Sequence, residues 1–363
     1  MNILLIISKN DRYGAQQAFL NQAAALHRMG HHLVVVGRGN TGYVPESVLA
    51  LGIEYHGLPL KGIKDIVFLV RLIKKNNINI IHTYLDRADY VGIILSLITR
   101  KPVVSTMNVR RYHFGYKLVD RVVIVSNKQR ELLHSKRVPV QKIYLVRPGI
   151  EFGRFSNPDA DRREAWKKKL DTDRYSIVFC HISSMIPQKS HGVSIDLVGV
   201  CKQRGENPFL IIAGDPLHGE YYDTLIKKIR EAGLDQNVYF TGWTTELPEL
   251  LSLSHFTLLP SIHEAFGVVL LEGMAAGTPI VAREGEGGAE LVEEFGTGFL
   301  YNPAAGVSEL ASDILALWRD NAGYGKFSAQ CRTVAQNNFS LEIFGTRLVK
   351  LYDSVCAQRC VSL

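Results

Sequence analysis

The chain has 363 residues, more than one compact core usually holds, which predicts two domains. Hydrophobic residues make up 46% and charged residues 21%, a composition that excludes disordered and collagen-like classes. The net charge of +7 is unevenly distributed, because residues 1–170 carry 28 basic and 12 acidic side chains, whereas residues 171–363 carry 14 and 23. The basic half indicates a polyanionic partner, such as nucleic acid, an anionic membrane surface or a phosphorylated substrate. A solvated surface that is basic without such a partner is the alternative. The acidic half argues against wrapping of DNA by the whole molecule.

Cysteine usage and the N-terminus indicate where the protein works. The five cysteines show no CxxC pair or histidine-rich spacing, so neither a disulfide framework nor a zinc site is predicted. The apolar run Met1–Ile7 is too short for a signal peptide core. No stretch approaches the roughly 18 to 20 apolar residues of a membrane span. We therefore expect a cytoplasmic protein whose membrane contact is at most peripheral, on the inner face of the cytoplasmic membrane.

The first half alternates short apolar runs with amphipathic stretches. A strand over Ile3–Ile7 leads through Tyr13-Gly14-Ala15 into a helix that Gly30 ends, and a strand over Leu33–Val36 follows. The later predicted strands are Ile78–Ile81, Val103–Val104, Val122–Val125 and Ile143–Val146, and the later helices are Ile63–Lys75, Ala88–Ile98 and Asn127–Lys136. Such alternation is typical of a parallel sheet covered by helices on both faces.

The regular pattern lapses after Arg147-Pro148-Gly149, where the charged segment Asp161–Lys169 is interpreted as a solvated linker. The second half then repeats the architecture, with strands at Ser176–Cys180, Phe209–Ala213, Val238–Phe240, Phe256–Leu259, Pro279–Ala282 and Gly298–Tyr301. We expect two tandem Rossmann-like α/β domains over residues 1–165 and 172–340, and a C-terminal helix and tail over 341–363. Ligands bind at the carboxyl ends of strands in such sheets, so the site is expected in a central cleft.

The segment Ser261–Ala282 carries the strongest chemical signal. Glu264 lies in a predicted loop, Gly267 opens a helix, and Glu272 follows eight residues after Glu264. At about 1.5 Å rise per residue, Glu272 lies roughly 7 to 8 Å along the helix axis from Gly267. A helix N-terminus can hold an anion, and carboxylates accept hydrogen bonds from vicinal hydroxyls. Glutamates at this spacing are also common as surface charges, but the strands, the apolar helix and Gly277-Thr278-Pro279 around them favour a nucleotide-sugar cradle.

On these residues the chain resembles the retaining GT-B glycosyltransferases of family 4, over nearly its whole length. The matching segments, besides Glu264–Glu272, are Arg147-Pro148-Gly149-Ile150, Pro187-Gln188-Lys189, Ala213-Gly214-Asp215-Pro216, Tyr239-Phe240-Thr241-Gly242-Trp243 and Glu286-Gly287-Gly288-Ala289-Glu290. The resemblance implies the GT-B fold, transfer from a nucleoside diphosphate sugar, and chemistry without a metal or other cofactor.

The resemblance also implies residue roles. It places Glu264 and the backbone of Ala265–Val268 on the donor sugar, Glu272 on the ribose and Lys189 on the diphosphate. The expected catalytic residues are Glu264, Lys189 and His82. The remaining expected donor-binding residues are Gly14, Gly214, Gly242, Trp243, Ala265, Phe266, Gly267 and Val268.

The chain departs from the family pattern at two places. Ser183-Ser184 stands where the family usually has Gly-Arg, so one of two cations expected on the diphosphate is missing, unless Arg87 or Arg111 supplies it. Where the family often shows His-x-His, Tyr84 replaces the second histidine, and its role toward the sugar passes to Tyr84 or to His82. A lone histidine at a strand end is otherwise an ordinary core residue.

Two further groups of residues carry weaker signals. The triplets Asp159–Asp161 and Asp171–Asp173 resemble metal-binding motifs of other glycosyltransferases, but both lie at the predicted linker, and no metal site is predicted. The residues expected on the acceptor side are Tyr84, Arg87, Arg110, Arg111 and Tyr112.

The resulting hypothesis is a retaining transferase that moves a hexose or N-acetylhexosamine from a nucleoside diphosphate sugar, with UDP as the preferred nucleotide, to a lipid-linked or lipopolysaccharide acceptor. Its expected partners are that donor, that acceptor and an anionic membrane surface, with no nucleic acid. Two alternatives stay open. One is a nucleotide-sugar 2-epimerase, and the other is a catalytically weakened scaffold that binds glycan or membrane.

Overall fold

A computed structural model describes residues 1–361, which divide into two compact units. The first unit combines residues 1–149 with the C-terminal segment that begins at Ser340, and the second unit spans Ile150–Phe339. Each unit is built on one parallel sheet with helices packed against it. The predicted α/β class with two tandem Rossmann-like domains is confirmed.

The first unit contains seven strands within the described residues: β1 (Asn2–Ile7), β2 (His32–Gly37), β3 (Glu54–Gly57), β4 (Ile80–Tyr84), β5 (Val103–Met107), β6 (Arg121–Ile124) and β7 (Ile143–Leu145). Its helices are α1 (Gly14–Arg28), α2 (Tyr43–Ala50), α3 (Ile63–Lys75), α4 (Asp86–Thr99), α5 (Asn127–Ser135) and, from the end of the chain, α15 (Leu341–Val361). The strand order is β3-β2-β1-β4-β5-β6-β7. The order reverses between β1 and β4, so the loops after these strands border the position where doubly wound sheets bind ligands.

Burial explains why the central strands of this unit are easy to recognise in the sequence. Residues 3–7 of β1 and all of β4 are buried on both faces, which requires unbroken runs of mainly apolar side chains. The long helix α15 belongs to the same core, where Leu348 and Tyr352 join Phe19 of α1 in one buried cluster. A Cβ at Gly345 would lie 2.5 Å from the sulfur of Met29, so glycine lets α15 approach the end of α1 closely.

The second unit has six strands: β8 (Ile177–Ile182), β9 (Pro208–Ala213), β10 (Val238–Gly242), β11 (Phe256–Leu259), β12 (Ile280–Arg283) and β13 (Gly298–Tyr301). Its helices are α6 (Phe152–Ser156), α7 (Ala160–Leu170), α8 (His191–Gln203), α9 (Glu220–Glu231), α10 (Leu247–Ser252), α11 (Val268–Ala276), α12 (Ala289–Phe295), α13 (Val307–Arg319) and α14 (Asn321–Phe339). The strand order is β10-β9-β8-β11-β12-β13, with the reversal between β8 and β11.

The grouping of residues differs from the predicted domain ranges. Residues 150–165 belong to the second unit and residues 341–361 to the first, while residues 362 and 363 lie outside the described part.

The segment interpreted as a solvated linker is helix α7. Asp159 caps it by accepting a hydrogen bond from the backbone N–H of Arg162 (2.9 Å), and Trp166 is buried and donates to Glu246 (2.7 Å). These contacts attach the charged helix to the second unit.

Candidate active site

The loops on either side of the strand reversal in the second unit carry the two principal predicted residues. Lys189 ends the short 3-10 helix Pro187–Lys189 after β8, and Glu264 lies in the loop after β11. The backbone N–H of Ile262 donates to the carbonyl of Gln188 (2.7 Å), which ties the two loops together. The structure therefore brings Lys189 and Glu264 to the edge of the sheet where doubly wound folds bind ligands.

Lys189 and Glu264 form an ion pair at this edge. Lys189 Nζ lies 2.7 Å from Glu264 Oε2, and the two side chains are 25% and 15% exposed. Partial burial strengthens a charge-assisted hydrogen bond of this kind, and the remaining exposure leaves both groups reachable by a ligand. The pair offers an ammonium group that can face phosphate oxygens and a carboxylate that can accept hydrogen bonds from sugar hydroxyls.

The N-terminus of α11 adjoins Glu264. Gly267 precedes the helix with φ 84°, and a Cβ there would lie 2.8 Å from Leu259 Cδ2, so this turn requires glycine. Ala265 and Phe266 are buried, and Val268 is half-buried as the first helical residue. Free N–H groups of a helix N-terminus favour anions, so the turn can hold a negatively charged part of a ligand.

The glycine-rich loop after β12 packs on the same turn. The backbone N–H of Gly287 donates to the carbonyl of Glu264 (3.0 Å), and a Cβ at Gly287 would lie 1.9 Å from the carbonyl oxygen of Ala265. That contact is backbone against backbone, so no side-chain movement could relieve it. Because it has no side chain, Gly287 can come close enough to form the backbone hydrogen bond that holds Glu264 in place.

Glu272 lies five residues into α11 and is 8% exposed. Burial raises the pKa of its carboxyl from 4.5 to about 7, and the charge of Arg154 opposes that rise in part. Arg154 donates to the carbonyl of Thr245 (2.8 Å). A buried carboxylate close to its pKa gains from any ligand that donates hydrogen bonds to it, as the vicinal hydroxyls of a ribose do.

Gly214, Gly242 and Trp243 lie at the carboxyl ends of the neighbouring strands β9 and β10, where Gly242 is the last residue of β10. The backbone N–H of Gly214 donates to the carbonyl of Gly242 (3.0 Å), which joins the strand ends. Gly214 approaches the first loop closely, since a Cβ there would lie 1.8 Å from the carbonyl oxygen of Ser183. Trp243 is 45% exposed, so much of its indole surface can be reached by a ligand.

Two residues of this site were missed by sequence reasoning. His181 and His191 are both buried and stack with ring centroids 4.2 Å apart, and their Nε2 atoms lie 3.1 Å and 2.9 Å from Ser183 Oγ. A histidine two residues before Ser183 and another two residues after Lys189 were the available signal. Their contact depends on how the loop folds back, which spacing alone does not reveal.

His82 does not have the accessible position that its predicted catalytic role requires. It lies on β4 with no exposed surface. Its Nδ1 lies 2.5 Å from the Tyr352 hydroxyl and 3.0 Å from Gln22 Nε2, and its Nε2 lies 2.6 Å from Thr106 Oγ1. Burial lowers its pKa to about 3, so the ring is neutral at physiological pH. This arrangement is that of a core histidine linking β4 to the C-terminal helix.

Tyr84 is likewise in the core rather than on an acceptor surface. Its side chain is 1% exposed, its hydroxyl donates to the Gln22 carboxamide, and its ring packs edge-on against Phe19 at 5.1 Å. Burial raises the pKa of the phenol, so it remains protonated. Contact with an acceptor does not fit this position.

The other predicted residues of the first unit do lie at or near its surface. Gly14 is exposed and is the first residue of α1, after β1. Arg87 is exposed at the start of α4, where Arg111 Nη2 lies 3.8 Å from the carboxylate of Asp86. Arg110 and Tyr112 are half-buried in the loop after β5. The structure therefore places these residues at the start of the helices after β1 and β4 and in the loop after β5, at the carboxyl edge of the first sheet.

A buried carboxylate anchors the loop after β5. Asp89 accepts hydrogen bonds from Thr83 (2.5 Å), Ser105 (2.7 Å) and His113 Nε2 (2.8 Å). Asp89 is on α4, Thr83 and Ser105 are on β4 and β5, and His113 follows Tyr112 directly. The cluster thereby holds the loop after β5, which carries Arg110 and Arg111, against the edge of the sheet.

The acidic triplets serve local structure. Asp159 caps α7, Asp171 lies 3.7 Å from Arg174, and Asp173 lies 2.9 Å from Lys167. Within residues 1–361, no group of three His, Cys, Asp or Glu residues is arranged to hold a metal ion. Cys180, Cys201 and Cys331 are buried free thiols, and the side chain of Cys360 lies outside the described part.

Comparisons with known proteins identify the family to which both units correspond. The glycosyltransferase family 4 model matches residues 13–154, and the model of glycosyl transferases group 1 matches residues 162–337. The chain is a glycosyltransferase. Each family model falls almost entirely on one structural unit, so the glycosyltransferase carries a family 4 domain followed by a group 1 domain.

Curated relatives of the glycosyltransferase include enzymes with different donors. It is 24% identical over 308 residues to UDP-Gal:alpha-D-GlcNAc-diphosphoundecaprenol alpha-1,3-galactosyltransferase of Escherichia coli, covering 78% of this chain and 77% of that protein. It is 29% identical over 190 residues to the GDP-mannose-dependent alpha-(1-6)-phosphatidylinositol monomannoside mannosyltransferase of Mycobacterium tuberculosis, covering 50% of this chain. The match spans about half, 48%, of that mycobacterial protein.

Solved structures confirm the GT-B fold. Anabaena HepE in complex with UDP matches with a TM-score of 0.85 at 21% identity, over 98% of this chain and all of that one. WaaG, a glycosyltransferase involved in lipopolysaccharide biosynthesis, matches with a TM-score of 0.69 at 16% identity, over 98% and 99% of the two chains.

Among the described residues, no helix combines the length and the apolar character needed to cross a bilayer.

Proposed function

We propose that this glycosyltransferase transfers a hexose or N-acetylhexosamine, with retention of the anomeric configuration, from a UDP-sugar to a lipid-linked or lipopolysaccharide acceptor. The observation that carries the proposal is the Lys189–Glu264 ion pair beside the N-terminus of α11 at the strand reversal of the second unit. Cation, carboxylate and helix terminus together suit a sugar attached to a diphosphate.

Each residue of the donor site has a proposed role. Glu264 accepts hydrogen bonds from sugar hydroxyls, Lys189 and the start of α11 stabilise charge on the departing diphosphate, and Glu272 accepts from the ribose hydroxyls. Gly214, Gly242 and Trp243 border the nucleoside. No metal or other cofactor takes part in the proposed chemistry.

Retention is proposed without an enzymic nucleophile. The nucleoside diphosphate leaves on the same face of the sugar that the acceptor hydroxyl attacks, and the leaving diphosphate takes the hydroxyl proton. Electrostatic stabilisation of the leaving group then supplies the main acceleration, so loss of Lys189 is expected to lower kcat more than it raises KM.

The acceptor class is supported by charge and by the relatives. The first unit, with its C-terminal segment, has 25 basic and 10 acidic side chains. The E. coli relative is named for a diphosphoundecaprenol acceptor, and the mycobacterial relative for a phosphatidylinositol mannoside. A basic acceptor domain suits such phosphorylated lipids.

Peripheral contact with an anionic membrane is part of the same proposal. Helices α3 and α4 expose Ile63 (82%) and Leu97 (78%), respectively. A groove between the two helices is lined by Lys74, Ile98 and Lys101, among other residues. Exposed apolar side chains beside lysines suit an anionic bilayer surface. In liposome flotation, we expect binding to vesicles containing phosphatidylglycerol that falls as salt rises, whereas equal binding to neutral vesicles would contradict this part of the proposal.

The donor and the stereochemistry can be tested together. Purified protein is incubated with UDP-glucose, UDP-galactose, UDP-N-acetylglucosamine or GDP-mannose and with an undecaprenyl diphosphate-linked sugar, and the product is followed by mass spectrometry and by NMR of the new anomeric centre. We expect transfer from a UDP-sugar to give an α-linked product. An inverted product, or release of free sugar or nucleotide without use of the acceptor, would reject the proposal, and the latter would favour the 2-epimerase alternative.

A matched pair of variants tests the site. Glu264→Gln removes the carboxylate of the central ion pair, whereas Glu206→Gln removes that of the Glu206–Arg319 pair (2.9 Å), which lies just before β9 at the opposite edge of the same sheet. We expect Glu264→Gln to lower kcat/KM by at least 100-fold, about 3 kcal/mol, and Glu206→Gln to leave it within about twofold. Full activity of Glu264→Gln would reject the site assignment.

A further inference from the structure

A serine and two histidines form a hydrogen-bonded group at the loop that carries Lys189. His181 is on β8 and His191 opens α8, and both rings direct Nε2 toward Ser183 Oγ, at 3.1 Å and 2.9 Å. Ser183 follows β8 directly and is half-buried. The hydroxyl of a half-buried serine is therefore held by two buried rings.

The far side of each ring contacts a further hydroxyl. His181 Nδ1 lies 2.8 Å from Ser194 Oγ, and His191 Nδ1 lies 3.2 Å from the Tyr221 hydroxyl. The Tyr221 oxygen already accepts from the backbone N–H of His191 (3.2 Å), so its own proton is available to Nδ1. When Ser194 and Tyr221 donate to Nδ1, each neutral ring carries its proton on Nε2 and donates it to Ser183.

The two rings are neutral because of their surroundings. Burial first, then the charge of His191 and that of Lys189, lower the pKa of His181 well below 6.5. Burial and Lys189 lower the pKa of His191 to about 4. With both rings protonated on Nε2, Oγ accepts two ring N–H groups, and the Ser183 proton is left for a ligand.

We propose that the Ser183 hydroxyl, oriented by His181 and His191, donates a hydrogen bond to the diphosphate of the bound donor and of the nucleoside diphosphate product. Two ring N–H groups on one hydroxyl oxygen make its proton a better donor through cooperative polarisation. Ser183 and Lys189 lie on the same loop, at its start and near its end, so both can face one diphosphate. This inference rests on the proposed function and gives a role to the Ser183-Ser184 departure.

The test compares ligands with and without the diphosphate. Calorimetric titrations measure binding of UDP, GDP, uridine and guanosine to the wild type and to Ser183→Ala, Ser183→Thr and the neighbouring control Ser184→Ala. A hydrogen bond to a charged phosphate predicts that Ser183→Ala weakens binding of the diphosphate by about 10-fold or more and leaves binding of the matching nucleoside unchanged. Ser183→Thr, which keeps the hydroxyl, is expected to recover most of the affinity, and Ser184→Ala to stay within about twofold of the wild type.

The role of the histidines is tested through the residue that fixes one ring. Tyr221→Phe removes the donor to His191 Nδ1, while Tyr222→Phe alters the adjacent tyrosine, whose ring packs against Phe240 at 5.1 Å. We expect Tyr221→Phe to weaken UDP binding about threefold and Tyr222→Phe to leave it unchanged.

The outcomes separate this inference from the proposed function. If the wild type binds neither UDP nor GDP, the proposed function fails and the inference with it. If the wild type binds the diphosphate and Ser183→Ala binds it equally well, or loses nucleoside and diphosphate in parallel, the inference is overturned while the proposed function stands. Full affinity of Tyr221→Phe for UDP would show that the histidines do not orient the Ser183 hydroxyl.

Discussion

Glu272→Gln is expected to stabilise the protein at neutral and alkaline pH. Burial raises the pKa of Glu272 from 4.5 to about 7, so the folded protein must either bind a proton or bury a charge. Below about pH 4.5 the carboxyl is protonated in both folded and unfolded states, and it imposes no such cost. As the pH rises from 4.5 to 7 the unfolded state releases its proton first, so the free energy of unfolding falls across this window and the cost is complete above pH 7.

The magnitude follows from the width of that window. A pKa difference of about 2.5 units, at 1.36 kcal/mol per unit, gives a cost of about 3 kcal/mol at pH 8 and less than about 1 kcal/mol at pH 5. Glutamine has nearly the same shape and stays neutral, so the substitution removes the cost. For a domain of this size, we expect the melting temperature to rise by about 5 to 10 °C at pH 8 and by about 2 °C at pH 5.

The assay is thermal unfolding at pH 5 and pH 8, without ligand and with UDP. Glu206→Gln serves as the control, because it breaks an ion pair and is expected to lower the melting temperature or leave it unchanged. With UDP present, Glu272→Gln is expected to lose most of the stabilisation that the ligand gives the wild type, since an amide accepts ribose hydrogen bonds less well than a carboxylate. Equal stabilisation at both pH values, or none at pH 8, would refute the reasoning from burial.

Two further substitutions test the positions of residues around the sites. Gly287→Ala places a Cβ 1.9 Å from the carbonyl oxygen of Ala265 and is expected to destabilise the second unit by about 3 kcal/mol. The control Gly285→Ala, at φ 74° in open space, is expected to cost about 1 kcal/mol. Equal melting temperatures for the two variants would contradict the packing argument. His82→Leu leaves the hydroxyls of Tyr352 and Thr106 without their ring partner and is expected to lower the free energy of unfolding by about 2 to 4 kcal/mol. We expect kcat, measured well below the melting temperature, to stay within about threefold. A 100-fold loss of kcat in a folded His82→Leu protein would support the predicted catalytic role of His82.

The strands and helices that sequence reasoning identified are those whose side chains report burial directly. Helix α3 was predicted over its observed range, Ile63–Lys75, because its apolar and basic residues alternate at helical spacing. Strand β3 (Glu54–Gly57) was missed, since it is a short edge strand of half-buried polar and small residues. Helix α7 was taken for a linker because its charged surface hides a single buried face around Trp166. Burial on one face of a charged helix leaves little trace in local composition.

The candidate donor site was more predictable than the acceptor side. Lys189, Glu264 and Gly267 are tied to backbone geometry that a specific order of residue types records: a lysine loop after one strand, and a glutamate and a left-handed glycine before a helix. His82 and Tyr84 also follow a family pattern in the sequence, but their surroundings depend on Tyr352, 270 residues after His82. A pattern of residue types cannot show that a distant helix returns to bury them.

The return of α15 changes what His82 can do. Tyr352 supplies a hydroxyl 2.5 Å from His82 Nδ1, and Gln22 of α1 contacts the His82 ring, the Tyr352 hydroxyl and the Tyr84 hydroxyl. These side chains satisfy one another's hydrogen-bonding groups inside the first unit, and partial loss of such a network leaves buried polar groups unpaired. A histidine that could otherwise face a ligand is thereby used to attach the last helix to the first unit. The second unit uses its buried histidines differently, since His181 and His191 converge on a half-exposed serine at the ligand edge of the sheet.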